Sequence, residues 1–266
     1  MRIIAGNCLL EDINITCDTV HFLKEKSEEY KFDLIYKSSY LKDNRSDLSY
    51  STGPGYDECV MIFNAIKNVY KVPILTDFSY PEDLQTDIVD YVDIIQIPAY
   101  LCMQNILVQA AANTGKIINI KKGQFLHPDD INHIIKKITD TMPYCADRIW
   151  LTERGACFGY RDLIVDPRSI DILKRTGHPV FVDIGHACRK YGIPSCDVKH
   201  GGMKEFVIPL AKTAIALGAH LFVEVHPNPA KAACDAATQL SFDEFEFLMD
   251  EVGPLKEWAE EWYPEY

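Results

Sequence analysis

No apolar run in the 266-residue chain reaches the ~18 residues that a membrane span needs. Residues 1–8 have neither the charged start, the long apolar centre nor the small-residue cleavage site of a secretory leader. None of the nine cysteines stands in a C-x-x-C spacing, and their number is odd. Reduced thiols and a cytoplasmic location are therefore expected. Basic residues are outnumbered, 27 against 39, which leaves a formal net charge of −12. Such a field repels phosphate backbones and anionic lipid, so neither nucleic acid nor a membrane surface is expected as a partner; a local basic pocket remains compatible with it. No Pro/Ser-rich linker divides the chain, and the expectation is a single domain over residues 1–266. Its acidic, aromatic end, 253–266, reads as a C-terminal extension.

What is present describes a folded protein: 47% hydrophobic residues and 25% charged. Short runs rich in Ile, Leu, Val and aromatics recur at 2–8, 33–39, 72–78, 93–99, 117–123, 148–155, 180–186 and 221–227. Several are apolar almost throughout, as strands are when both faces are covered. Helical segments are expected between them at 14–30, 56–70, 81–91, 102–114, 128–141, 167–176, 202–218 and 241–252. Pro81-Glu-Asp and Pro128-Asp-Asp have the composition of helix first turns, and Gly115 and Gly218 fall where helices end. The period of about 31 residues is that of a strand–helix unit. Eight such units predict a (β/α)8 barrel, which needs ~250 residues. A doubly wound open sheet fits less well, because no G-x-G-x-x-G follows the first strand.

A barrel of this kind gathers its chemistry at the C-terminal ends of its strands. Those ends read Cys8, Lys37, Asp77, Gln96, Lys121 with Lys122, Glu153 with Arg154, His186, and Glu224 with His226. One subset is cationic: Lys37, Lys42, Arg45, Lys121, Lys122 and Arg154. In an acidic protein, cations collected at one mouth point to an anionic ligand, with guanidinium forks matching phosphate and carboxylate oxygens. Scattered lysines paired with surface acids are the alternative. The other subset is Cys8, His186, Glu224 and, in the following loop, Asp235. Thiolate, imidazole and two carboxylates suit Zn²⁺, Fe²⁺ or Mn²⁺. Singly, each is more often a packed or hydrogen-bonded residue. Only closure of the barrel, which makes the first and eighth strands neighbours, brings the four together.

The order of motifs makes the chain similar to a known family. Ile4-Ala-Gly-Asn-Cys8, Lys37-Ser-Ser-Tyr-Leu-Lys-Asp-Asn-Arg-Ser46, Gly53-Pro-Gly55, Ile94-Ile-Gln-Ile-Pro-Ala99, Asn119-Ile-Lys-Lys-Gly-Gln-Phe125, Leu151-Thr-Glu-Arg-Gly155, Phe158-Gly-Tyr160, Gly201-Gly-Met-Lys-Glu-Phe206 and Glu224-Val-His-Pro227 run over nearly its whole length. The sequence resembles the 3-deoxy-D-manno-octulosonate 8-phosphate synthases. The resemblance implies condensation of phosphoenolpyruvate with D-arabinose 5-phosphate, releasing phosphate, on the route to lipopolysaccharide. It implies that Lys37, Lys42, Lys121 and Arg154 hold phosphoenolpyruvate, with Lys122 adjacent, and that Asn44, Arg45 and Ser46 bind the aldose phosphate. Ser39 and Gln96 join the substrate-binding set, and Asp77 and His186 join Lys37, Lys121 and Arg154 as catalytic candidates. Metal-dependent members carry Cys and metal-independent members Asn at the position of Cys8, so a divalent ion on Cys8, His186, Glu224 and Asp235 is implied, as are a homotetramer and a lid over 187–202.

The departures from the family pattern fall mostly on the acceptor side. Lys-Ala-Asn-Arg-Ser-Ser becomes Lys42-Asp-Asn-Arg-Ser-Asp47, which sets Asp43 and Asp47 beside the sugar-phosphate segment. The arginine that relatives extend across a subunit interface is Met103, and a family histidine is Ser79. The segment at the last ligand reads Asp235-Ala-Ala-Thr-Gln-Leu240. A different acceptor aldose is thus the second reading, and a non-catalytic anion-binding barrel the third.

Overall fold

A computed structural model describes residues 1–159 and 161–263. Tyr160, the last residue of the Phe158-Gly-Tyr160 segment, and residues 264–266 of the tail lie outside the described residues.

Eight strands pair in sequence order, all parallel, and the eighth pairs with the first. They are β1 (Arg2–Gly6), β2 (Asp33–Lys37), β3 (Ile74–Asp77), β4 (Ile94–Ile97), β5 (Ile117–Lys121), β6 (Ile149–Glu153), β7 (Val180–Asp183) and β8 (His220–Glu224). The predicted closed barrel is the fold. Each strand stops one to three residues short of its sequence-based end, because ladder pairing is given up where the loops of the mouth diverge.

Alternation along each strand sorts its residues into two environments. Ile4, Ile35, Leu75, Ile94, Trp150, Phe181 and Phe222 pack together as one cluster, with Ile117 against it. One residue comes from every strand, and together they fill the barrel interior. Their neighbours, among them Ile3, Ala5, Leu34, Tyr36, Ile118 and Val182, join the larger core under the helices. The next inward step from the interior layer leads to Lys37, Asp77, Gln96, Asn119, Thr152, Asp183 and Glu224. The strand period therefore delivers polar side chains into the mouth.

The helices are α1 (Ile13–Tyr30), α2 (Tyr56–Ala65), α3 (Ile88–Tyr91), α4 (Asn105–Asn113), α5 (Ile131–Thr141), α6 (Pro167–Lys174), α7 (Val207–Ala216) and α8 (Phe242–Trp262). Asp12 caps α1 by accepting from the Asn14 and Ile15 amides, and Ser241 and Glu244 close a reciprocal box on α8. Gly115 and Gly218 follow α4 and α7 with φ of 69° and 66°. The expected helix 81–91 is a 3₁₀ turn, Pro81–Gln85, followed by the four-residue α3. The predicted stop at 252 is also revised: α8 continues through Gly253 and Pro254 to Trp262. Lys256 and Ala259 are buried along that extra length, so packing outweighs the breaker pair.

Candidate active site at the barrel mouth

The mouth holds a cavity of about 220 Å³. Lys37, Lys42, Lys121 and Arg154 line it together with Asn44, Arg45 and Ser46. Asp77, Gln96, His186 and Asp235 complete most of its wall. Most of the residues expected in the site therefore share one space.

Lys37 and Lys121 reach it from β2 and β5, and their ammonium groups stand 5.8 and 4.2 Å from the Phe222 ring at the barrel's centre. Lys37 Nζ donates to the Cys8 carbonyl (3.0 Å) and to Glu224 Oε1 (3.1 Å). Burial and the neighbouring Lys42 would discharge Lys37, but Glu224 and Asp77 outweigh them and raise its pKa. Lys121 Nζ lies 2.6 Å from Asp183 Oδ2, yet burial still leaves its pKa lowered. Asp77 receives a bond from the Ser39 hydroxyl. Burial opposes its ionisation, but Lys42, Lys37 and that hydroxyl pull its pKa to about 2. Gln96 donates to Asn119 Oδ1 (2.7 Å), and Asn119 donates to Thr152 Oγ1 (2.9 Å), a polar chain across β4, β5 and β6.

Cys8, His186, Glu224 and Asp235 are all buried, and one ligand atom from each lies within 4.8 Å of the others. Register explains the meeting. Gly6 stands opposite Glu224 in the β1–β8 ladder, so Cys8 arrives beside the end of β8. The Cys8 thiol is 3.2 Å from Asp235 Oδ2. His186 Nε2 is 3.6 Å from Asp235 Oδ2 and 3.7 Å from Glu224 Oε1. Asp235 takes φ of 44°, a left-handed conformation that aspartate tolerates better than most residues.

The group fits a divalent ion. Glu224 Oε2 and Asp235 Oδ1 are buried without a hydrogen-bond donor, an expensive arrangement that a cation offsets. Desolvation opposes their charge, but His186 together with Lys37 or Arg189 holds both carboxylates below the usual range. The other nitrogen of the imidazole has a carboxylate beside it: His186 Nδ1 lies 2.8 Å from Asp183 Oδ2, although not in hydrogen-bond alignment. That contact leaves Nε2 for a metal. Burial and the adjacent Cys234 push the Cys8 thiol up, so a cation is required to make it a thiolate.

Two substrate-binding expectations change, Lys122 and Ser39. Lys122 does not line the cavity. It follows Lys121 directly, so it faces outward; its Nζ bonds the Gly123 and Leu126 carbonyls and sits 3.5 Å from Glu153. Ser39 meets the cavity only through Asp77. Glu153 and His226, both at strand ends, are structural: Glu153 accepts from the Arg154 and Gly155 amides, and His226 lies 3.2 Å from Glu11. Conversely, Asp183 and Arg189 went unnamed in the sequence reading. Asp183 is two residues beyond inward-facing Phe181, a signal that strand parity alone supplies. Arg189 sits past the end of β7, where no periodicity reaches.

On the acceptor side, Met103 is 39% exposed and is absent from the lining. Ser79 and Tyr100 share a hydroxyl contact of 3.2 Å, and the Tyr80 hydroxyl bonds Asp43. Ser195 of the 187–202 loop lines the cavity, and Cys196 lies 3.6 Å from the Tyr50 hydroxyl. No helix among the described residues is long and apolar enough to cross a membrane.

Comparison with known proteins agrees with this arrangement. A sequence model of the DAHP synthetase I family matches residues 1–258. A 2-dehydro-3-deoxyphosphooctonate aldolase of Protochlamydia amoebophila is 40% identical over 256 residues, 96% of this chain and 91% of that protein. Its namesake from Desulfosudis oleivorans is 40% identical over 262 residues (97% and 91%), and that from Caulobacter vibrioides 40% over 250 (94% and 85%).

Proposed function

The chain belongs to the DAHP synthetase I family, and from that premise we propose that it condenses phosphoenolpyruvate with D-arabinose 5-phosphate to 3-deoxy-D-manno-octulosonate 8-phosphate and phosphate. One observation carries the reading: the cations Lys37, Lys42, Lys121 and Arg154 open on the same small cavity as His186 and Asp235 of the Cys8 cluster.

In the reaction the enol carbon of phosphoenolpyruvate bonds to the aldehyde carbon, water adds at the neighbouring carbon, and inorganic phosphate leaves. Lys37, Lys42, Lys121 and Arg154 bind the donor's carboxylate and phosphate and hold its enol face towards the acceptor. Fixing two reactants at attack distance removes several kcal/mol of entropic barrier. Arg154 Nε is buried without a partner, a donor ready for an anion. Asn44, Arg45 and Ser46 hold the acceptor's phosphate end. Asp77, ionised between lysines, accepts a bond from a sugar hydroxyl or from the reacting water. Cys8, His186, Glu224 and Asp235 hold a divalent ion, Zn²⁺, Fe²⁺ or Mn²⁺, which when bound supplies Lewis acidity towards an aldehyde or a water. The 187–202 loop excludes stray water. The same reading carries a cytoplasmic homotetramer.

The test is phosphate release from phosphoenolpyruvate with a panel of free and phosphorylated aldoses, before and after chelation and with Zn²⁺, Fe²⁺ or Mn²⁺ restored. Arabinose 5-phosphate is expected to be the best acceptor, with activity lost to chelator and regained with metal. Activity indifferent to chelation defeats the metal assignment. The Met103 and Ser79 substitutions favour a second reading, a different aldose, and preference for another acceptor in the same panel would establish it. No phosphate release with any aldose would leave only an anion-binding barrel.

A further inference from the structure

We propose that Arg189 is the second guanidinium of the acceptor-phosphate subsite, acting with Arg45 to grip the dianionic end of an aldose phosphate. The inference rests on the phosphoenolpyruvate–aldose reading above and specifies how its acceptor is selected.

Arg45 and Arg189 bracket one short segment after β8. Arg45 donates to the Ala233 carbonyl at 2.8 Å and contacts the Cys234 sulfur. Arg189 Nη1 lies 3.4 Å from Asp235 Oδ1. Both line the cavity. In each, Nε is buried and has no hydrogen-bond partner. A buried N–H without an acceptor is costly, and two such forks on one small cavity define a place for an oxyanion. Asp235 pairs only with Nη1 of Arg189, and the same carboxylate also faces Cys8 and His186, which leaves the Nε–H unpaired. Of the donor's cations, Lys37, Lys121 and Arg154 come from the ends of β2, β5 and β6 and Lys42 from the loop that carries Arg45, so the two arginines are the charge left for the acceptor.

The placement also accounts for residue 103. The family resemblance expects an arginine there for the aldose phosphate, but Met103 is outside the lining. Arg189 restores that charge from within the same chain. It sits three residues beyond His186, at the root of the 187–202 loop, where it does not depend on a neighbouring subunit. Asp43 and Asp47 beside Arg45 make this second cation more necessary, because they weaken the positive field of the segment.

The experiment compares metal-loaded wild type with Arg189→Gln and Arg189→Lys. Affinities for arabinose 5-phosphate, arabinose and phosphoenolpyruvate are measured by calorimetry, and metal affinity by chelator competition. Arg189→Gln should weaken arabinose 5-phosphate roughly 10- to 100-fold, the range of one charge-assisted contact, leave arabinose and phosphoenolpyruvate unchanged, and shift metal affinity by far less than that, through its contact with Asp235. Arg189→Lys should recover part of the loss. Unchanged arabinose 5-phosphate affinity in Arg189→Gln overturns the proposal. So does an equal loss for all ligands and for the metal, which would make Arg189 a tether for Asp235. Wild type that binds arabinose 5-phosphate no better than arabinose overturns it too. Wild type that discriminates between the two but releases no phosphate from phosphoenolpyruvate defeats the reaction instead, leaving the subsite intact.

Discussion

At the scale of single residues, Asp183 couples the two halves of the site. Its fully buried carboxylate contacts Lys121 Nζ and His186 Nδ1 and accepts from the His186 amide at 2.8 Å. Desolvation works against its charge, yet His186 and Lys121 hold it far below the usual carboxylate range. Asp183→Asn puts an amide against the imidazole and offers the wrong tautomer to a metal. Metal affinity should fall by roughly 10- to 100-fold, the usual cost of losing a histidine's outer partner. Competition with a chromophoric chelator measures it, and an unchanged far-UV spectrum shows that the fold persists. His220, at the opposite end of the barrel, makes a pH prediction. Its Nδ1 accepts from the Arg2 amide at 3.4 Å. Burial, with Arg2 and the N-terminus nearby, lowers its pKa from 6.5 to about 3. The unfolded chain therefore takes up a proton below pH 6.5 that the folded chain refuses until about pH 3. This contribution is intact above 6.5 and is lost as pH falls, at roughly 1.4 kcal/mol per pH unit. Urea midpoints between pH 7 and pH 4 should decline less steeply in His220→Gln. The sequence located His186 and Lys121 by type at a strand end. Reading parity along β7 would also have found Asp183 and turned Lys122 away.

At the scale of elements, strands were legible and helix ends were not. A strand's apolar run and its polar last residue are both local, so the eight runs of the barrel stood out in order. The length of α8 is decided by its partners. Gly253 and Pro254 argue for a stop, but Lys256, one turn further, buries its stem and donates to the Tyr30 and Lys31 carbonyls at 3.2 and 2.7 Å. Those carbonyls end α1, where Lys31 takes φ of 52°. The ammonium thus caps one helix from another, and it also lies 3.5 Å from Glu260. Lys256→Ala strands buried carbonyls and opens a gap, so a loss of roughly 1–3 kcal/mol is expected. Equilibrium denaturation measures it. Activity per folded molecule should be unchanged, because the contact is remote from the mouth.

At the scale of the whole molecule, the site exists because the ring closes, and Gly6 sets how closely the end of β1 approaches β2. This residue is the last of β1 and pairs with Glu224 across the seam. A Cβ there would collide with the Lys37 carbonyl oxygen and press on the Tyr36 ring. Backbone cannot yield as a flexible side-chain tip can, so Gly6→Ala must push the end of β1 away from β2. Two residues on, that displacement moves Cys8, whose amide donates to Gln239 at 3.1 Å and whose carbonyl holds Lys37. The thiol and a donor-binding lysine would shift together. Metal sites tolerate errors of only a few tenths of an ångström in ligand placement. Gly6→Ala is therefore expected to lose metal before it loses its fold: metal content of the purified protein should fall well below one ion per chain while the barrel's circular dichroism remains. The thermal midpoint should drop as β1 loosens. A variant that retains full metal and an unchanged midpoint would show that the seam between β1 and β2 can open without disturbing Cys8, and that the cluster is held by the β7 and β8 loops alone.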